Sequence, residues 1–333
     1  MIGYYIHHHG AGHLIRARSI CAELDTPVTA LTSLSIEDDP AFDRIVTLPA
    51  DNTAPTVTDA TAFGALHWVP KADAGLRDRM AEIAQWIATE KPDALVVDVS
   101  VEVALLARLH GVPVLTMVLP GTRTDAPHEL VHRIADGLIA AWPRAVYEPP
   151  WLRPYAHKTH YIGGISRFAG RSPLPRHGGV GRPTVLVVSG AGGSSFTPAM
   201  IRECADRHPQ YRWRTAGIGE WVDDLWPPLC GADVVMSHAG QGTVADIAAA
   251  GKSAILIPAD RPFGEQHDTA TALAEAGMAV SVDACPAVEE WPELIEAARR
   301  LDTGQWRRWD TRGAAGRAAA AIGRIAMGSR SAA

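Results

Sequence analysis

The chain has 333 residues, is 47% hydrophobic and 20% charged, and carries a formal net charge of −6. Its length predicts two domains, its composition is that of a globular protein, and a net negative charge without a long basic run argues against a nucleic-acid partner. Four cysteines (Cys21, Cys204, Cys230, Cys285) form no C-x-x-C pair, so neither a disulfide framework nor a zinc ribbon is expected. No apolar run reaches about 18 residues and no charged leader is visible, so a cytoplasmic protein without a transmembrane segment is expected.

Ile2-Gly3-Tyr4-Tyr5-Ile6 reads as a first strand and runs into His7-His8-His9-Gly10-Ala11-Gly12-His13. The apolar lead-in argues against an affinity tag. Neighbours on a strand point to opposite faces, so three consecutive histidines are not expected to share a metal ion. Arg16 to Leu24 is good helix material, giving strand, glycine loop and helix, with His13 near the helix N-terminus. Val28–Thr32 is a second strand. Ala94–Asp98 follows a Pro-Asp turn, Val101–His110 reads as a helix, and Val114–Val118 as the next strand. Residues 163–183 are rich in Gly, Pro and Arg and read as a linker. The pattern restarts with the strand Thr184–Val188, a second glycine loop at 189–195, strands at 232–237 and 253–257, and a helix at 304–326. Strand, turn and helix repeated in this way predict parallel sheets covered on both faces. The expected division is 1–165, a linker at 166–183, 184–305, and a C-terminal helix within 306–333 that packs back on the first domain.

Neither glycine loop is a dinucleotide fingerprint. The third glycine of G-x-G-x-x-G falls at Ile15 in one and at Ser195 in the other, and no acid ends the next strand to hold a ribose. A Walker loop fails as well, because Asp246 stands where its first glycine belongs before Gly251-Lys252-Ser253. Both loops could be plain tight turns. Placed at the carboxyl end of each half's first strand, they favour anion binding by exposed backbone N–H groups.

Residues 231–268, GADVVMSHAGQGTVADIAAAGKSAILIPADRPFGEQHD, resemble the donor-binding signature of nucleotide-sugar glycosyltransferases with the GT-B fold. They are most similar to the family 28 C-terminal domain, and antibiotic and macrolide glycosyltransferases share the pattern. The resemblance implies an α/β fold of two Rossmann-like domains facing each other across a cleft. It implies a nucleoside-diphosphate sugar as donor, with UDP expected before dTDP, and an inverting, metal-independent transfer that needs no cofactor. It places Asp246 on the ribose hydroxyls. It places His238, Gly240, Gly242 and Thr243 on the diphosphate, Glu265 and Gln266 on the donor sugar, and Trp221 and Val222 on the base. In the second loop Gly190, Gly192, Gly193, Ser194 and Ser195 are candidate phosphate contacts, although Ala191 falls where the family has serine. Each has a plainer alternative. His238 could be a buried histidine bonded to backbone, Asp246 a surface helix residue, and Glu265 and Gln266 ordinary loop residues.

In the same families the histidine of the first loop is the general base, which assigns that role to His13, beside Gly12. Histidine suits it because its pKa lies near working pH. Asp98 is the candidate carboxylate that fixes its tautomer; the alternative for Asp98 is a helix N-cap before Val101. His7 to His9 are given no chemistry. Gly12-His13-Leu14-Ile15-Arg16 also resembles the G-H-x-x-R of a nucleotide-sugar hydrolase, in which water replaces the acceptor. An epimerase of this fold and a non-enzymatic sugar-nucleotide binder are further readings. Asp38-Asp39 and Asp223-Asp224 lack the setting of a metal-binding Asp-x-Asp. The acceptor, a small molecule or a lipid-linked one that would bring the protein to a membrane surface, is expected along residues 35–86.

Overall fold

The computed structural model describes residues 1–8, 10–172, 174, 181–190, 193, 195–219 and 222–332. In the N-terminal half the strands are β1 (Ile2–Ile6), β2 (Val28–Thr32), β3 (Arg44–Thr47), β4 (Ala94–Asp98), β5 (Val114–Val118), β6 (Gly137–Ala140) and β7 (Thr159–Tyr161). They form a seven-stranded parallel sheet in the order β3-β2-β1-β4-β5-β6-β7. Helices α1 (Ala11–Cys21), α2 (Ala74–Glu90), α3 (Val101–Leu109) and α4 (Ala126–Ile134) connect them. The C-terminal half has β8 (Thr184–Val188), β9 (Arg212–Ala216), β10 (Val234–Ser237), β11 (Ser253–Leu256) and β12 (Val280–Ser281), in the order β12-β11-β10-β8-β9. Its helices are α5 (Pro198–Arg207), α6 (Trp226–Gly231), α7 (Gln241–Ala250), α8 (Glu265–Glu275) and α9 (Trp291–Arg299), and α10 (Ala314–Ala332) ends the chain.

The central strands read as unbroken apolar runs because both faces of each sheet are covered: every residue of β1, β2, β4 and β5 is buried. Strand order reverses between β1 and β4 in one half and between β8 and β10 in the other. Ligands of open α/β sheets bind at such switch points, outside the carboxyl ends of the strands. The register places Ile6 opposite Asp98 and Val188 opposite Ser237. The first glycine loop is thereby set beside the end of β4, and the second beside the residues that follow β10.

Two helices differ from the sequence expectation. Helix α1 begins at Ala11, because Gly10 (φ 85°) turns the chain into it directly, a conformation glycine adopts without steric cost. The terminal helix begins at Ala314. Before it, Thr303–Trp309 forms a 3₁₀ turn that buries Trp306 and Trp309, and the positive φ of Asp310 and Gly313 breaks the run. Helix α10 lies against α1, β4 and β6 and buries Ala314, Ala318 and Ile322, a one-in-four stripe facing the N-terminal sheet. Among the described residues, no helix is long and apolar enough to cross a membrane.

Candidate active site

Asp98 is the last residue of β4 and is completely buried. Helix α3 is capped instead by Ser100, whose hydroxyl accepts from Val103 N at 3.2 Å, so Asp98 is not an N-cap. Between them Val99 holds φ +66°, a left-handed conformation that costs a β-branched residue on the order of 1–3 kcal/mol and is typical of functional turns. His13, in the first turn of α1, has Nδ1 2.9 Å from Asp98 Oδ1. Arg16, one turn further, donates Nε to Asp98 Oδ2 (2.9 Å) and Nη2 to Asp98 Oδ1 (2.6 Å). Burial works to raise the Asp98 carboxyl, but Arg16 and His13 outweigh it and hold it well below the usual carboxylate range. An ionised carboxylate only accepts, so the His13 Nδ1 that faces Asp98 carries a proton, which leaves Nε2 as the ring nitrogen not turned to Asp98.

His7 and His8 follow the end of β1, so strand alternation does not separate them. Their rings stack at 4.8 Å, and His7 also lies 5.7 Å from the His13 ring. They wall the loop that carries His13. His9 lies outside the described residues.

Across from this dyad, α7 points its N-terminus into the cleft between the halves. Its first helical bond is Val244 N to Gly240 O, so the amides of Gln241, Gly242 and Thr243 have no acceptor within the helix and, with the helix dipole, form an anion-binding end. Arg16 Nη1 donates to Gln241 Oε1 at 3.0 Å, while Gln241 Nε2 is buried without a hydrogen-bond partner. The cleft encloses about 690 Å³ and is lined from both halves, by Gly12, His13 and Arg16 on one side and Gly190, Gly193, His238, Gly240, Gly242 and Thr243 on the other. Asp246, Glu265, Gln266 and Val222 also line it.

Several of these side chains are already engaged. His238 Nδ1 lies 2.7 Å from Ile257 O, its Nε2 accepts from Ser195 N at 3.3 Å, and its ring stacks on Phe196. It therefore anchors Ser195 beside the end of β11. Asp246, buried in α7, accepts from Ser166 Oγ (2.7 Å) and Arg167 Nε (3.0 Å). Burial raises its carboxyl, against the pull of Arg167. Gln266 Oε1 accepts from Ala259 N at 2.9 Å, and Glu265 pairs with Arg123 of the other half at 3.1 Å. Gly192, Ser194 and Trp221 lie outside the described residues.

A second cavity of about 330 Å³ opens in the N-terminal half and shares His8 and Leu119 with the cleft. Its walls are largely apolar, with Tyr5, Trp68, Met80 and Val131 among them. Arg123, His67 and His128 are part of its polar lining, together with Asp51, Arg79 and Glu102. His67 Nε2, a carboxylate oxygen of Asp125 and a nitrogen of His128 lie within 4.8 Å of one another, close enough for a divalent cation. The Arg123 guanidinium, 3.2 Å from His128 Nε2, opposes a positive ion there. Of the cavity wall, only the stretch 35–86 was expected to contribute; Arg123, Asp125 and His128 carried no motif. Gln241 falls between Gly240 and Gly242, the two glycines that the donor signature assigned, and carried no assignment of its own.

A two-sheet α/β fold with opposed switch points across a cleft is the GT-B architecture. Residues 182–302 match the family model of the glycosyltransferase family 28 C-terminal domain. The chain is 27% identical over 294 residues to the UDP-N-acetylglucosamine–N-acetylmuramyl-(pentapeptide) pyrophosphoryl-undecaprenol N-acetylglucosamine transferase of Erythrobacter litoralis; the match covers 74% of this chain and 68% of that one. Among solved structures it is similar to the glycotransferase of kitacinnamycin (TM-score 0.65, 18% identity, 97% of this chain and 98% of that one). It is also similar to Arabidopsis thaliana UGT89C1 complexed with UDP (TM-score 0.63, 13% identity, 94% of each). The chain is thus a GT-B glycosyltransferase resembling family 28, as residues 231–268 implied.

Proposed function

We propose that the chain transfers a sugar, with inversion, from a nucleoside-diphosphate sugar to a hydroxyl of a compact acceptor, with His13 as general base. The observation that carries this reading is the His13–Asp98 pair at 2.9 Å, facing the N-terminus of α7 across the cleft. The acceptor hydroxyl gives its proton to His13 Nε2 as its oxygen attacks the anomeric carbon, and the bond to the diphosphate oxygen breaks. Asp98 stabilises the imidazolium that forms. The free amides of Gln241, Gly242 and Thr243 and the α7 dipole meet the charge growing on the diphosphate, so the reading is metal-independent.

UDP is the favoured nucleotide, as named for the Erythrobacter relative and the Arabidopsis neighbour. The base would lie along Val222, and the ribose at Asp246, where it must share the carboxylate with Ser166 and Arg167 or displace them. The 330 Å³ cavity adjoining the cleft favours a small, largely apolar acceptor. The same cavity supports this reading over the hydrolase, which needs room only for water.

Product analysis tests the proposal. With UDP-sugars and a panel of hydroxylated aromatic and macrocyclic acceptors, a glycoside that forms only when acceptor is present is the expected result. Free sugar released at the same rate without acceptor would establish the hydrolase instead. Binding without turnover under both conditions would leave a sugar-nucleotide binder.

A further inference from the structure

The segment just before α8 is pressed against the N-terminal half by a set of contacts that the transfer reaction does not require. Gly121 (φ 97°) approaches so closely that a Cβ there would lie 2.3 Å from Phe263 O. Thr122 N donates to Phe263 O at 2.9 Å, and Tyr147 donates its hydroxyl to Asp268 Oδ2 at 2.8 Å. Phe263 and Gly264 both have positive φ, so the turn that delivers Glu265 is conformationally demanding.

Arg123 lies at the centre of this contact and is 5% exposed. Its Nε donates to Pro120 O (3.1 Å), its Nη1 lies 3.2 Å from His128 Nε2, its Nη2 donates to Glu265 Oε2 (3.1 Å), and its plane covers the Phe263 ring at 4.6 Å. His128 Nδ1 is bonded in turn to Asp125 Oδ1, and His67 Nε2 lies 2.7 Å from Asp125 Oδ2. A chain of hydrogen bonds therefore runs from the wall of the acceptor cavity, through His67, Asp125, His128 and Arg123, to the carboxylate at the donor-sugar end of the cleft. Burial and Arg123 favour neutral His128, so its Nδ1 donates to Asp125 and its Nε2 accepts from Arg123. Each link then has a defined direction. Only a planar guanidinium reaches the proline carbonyl, the imidazole and the carboxylate at once.

We propose that Arg123 is a positioning residue that aims Glu265 at the donor sugar, and that it thereby couples the acceptor cavity of one half to sugar recognition in the other. The inference rests on the donor reading above. On that reading α7 holds the nucleotide, and Arg123 is not among the residues that line the cleft, so the coupling acts on the sugar and leaves the nucleotide unaffected.

The test compares calorimetric affinities for UDP and UDP-N-acetylglucosamine, and for dTDP and dTDP-glucose as a second pair. The readout is the ratio of the two dissociation constants within the pair that the wild type binds. Arg123→Ala is expected to cut that ratio about tenfold, the loss of one charge-assisted hydrogen bond, while nucleotide affinity stays within about twofold. Glu265→Gln should do the same, and the double variant should be no worse than either single one, because both remove one interaction. Arg123→Lys restores charge without the fork and should recover only part of the ratio; it also serves if the alanine variant does not fold. Tyr147→Phe removes the neighbouring contact between the halves but leaves the fork intact, and should keep the ratio. An unchanged ratio in Arg123→Ala and Arg123→Lys, or an equal loss in Tyr147→Phe, overturns the proposal while the donor reading stands. A wild type that binds neither pair overturns both.

Discussion

Arg16 and Gln241, 225 positions apart in the chain, meet at 3.0 Å across the cleft. The same guanidinium grips both oxygens of Asp98. One side chain therefore ties the proposed base pair to the first residue of the helix whose amides are the proposed diphosphate contacts, and the two halves of the site keep a common geometry. Burial disfavours the Arg16 charge, but Asp98 more than offsets this, and the guanidinium is held firmly protonated.

His13→Ala is expected to lower transfer by about 10²–10⁴-fold, the usual loss of a general base, with UDP affinity nearly intact because the proposed nucleotide contacts lie in the other half. His7→Ala should be milder. Steady-state rates together with calorimetry check this. Joint loss of turnover and UDP binding would make His13 a donor ligand.

Arg16→Ala should destabilise the protein by about 3–5 kcal/mol, since it leaves the fully buried Asp98 with His13 alone. Pairing it with Asp98→Asn should recover much of that loss. Urea unfolding of the two single variants and the double variant measures the coupling. Simple additivity of the two changes would show that the pair is energetically independent.

Asp246→Ala is expected to weaken UDP binding by an amount on the order of 1–3 kcal/mol, the cost of removing a partner from ribose hydroxyls. The Arg167 bond to the same carboxylate gives a companion expectation: Arg167→Ala frees one oxygen of Asp246 for the ribose and should not weaken UDP. Unchanged UDP affinity in Asp246→Ala would remove that residue from the site.

Acid should destabilise the acceptor cavity. Burial, aided by Arg123, pushes the His128 imidazole down to about 4, and burial, aided by His128, pushes His132 down to about 3. Their unfolded values are about 6.5. Between about pH 6.5 and 4 the unfolded chain binds protons that the folded chain refuses, so stability falls as pH drops through that window. The slope is up to about 1.4 kcal/mol per pH unit for each imidazole, and above about pH 7 neither contributes. Urea midpoints at pH 7.5, 6 and 5 should fall less steeply in His132→Gln; parallel curves would assign the acid loss to other groups.

Gly121→Ala should separate the two halves at α8. The added Cβ meets Phe263 O at 2.3 Å and the residue must keep φ 97°, so both a clash and a left-handed strain of about 1–3 kcal/mol arise. A lower melting temperature and a larger radius of gyration by X-ray scattering are the expected signs. A variant indistinguishable from wild type would mean that the loop carries no weight in docking the halves.

The central strands were legible in the sequence, whereas β3, β6, β7, β9 and β12 were not. β1, β2, β4, β5 and β8 are mostly apolar runs set off by turn residues, with only short threonines breaking β2 and β5, and burial on both faces writes such runs directly into the chain. The donor signature at 231–268 was legible for a related reason. The residues from His238 to Asp246 occupy one loop and the first turns of one helix, so their spacing is local and survives without tertiary information. The pairing of His13 with Asp98 could be anticipated because both end up at one sheet edge once the strand order is right. The remaining features were set by packing between segments far apart in the chain. Asp246 is shared with Ser166 and Arg167, 80 and 79 positions away, and Arg123 meets Glu265 at a separation of 142. Such contacts depend on the angle at which two sheets face each other. That angle comes from the summed packing of α1 on α7, the close approach of Gly121 to Phe263, and the return of α10 onto the first sheet. No single stretch of sequence encodes it, so the donor signature and the His13 loop could be read one at a time, and only the tertiary structure joined them.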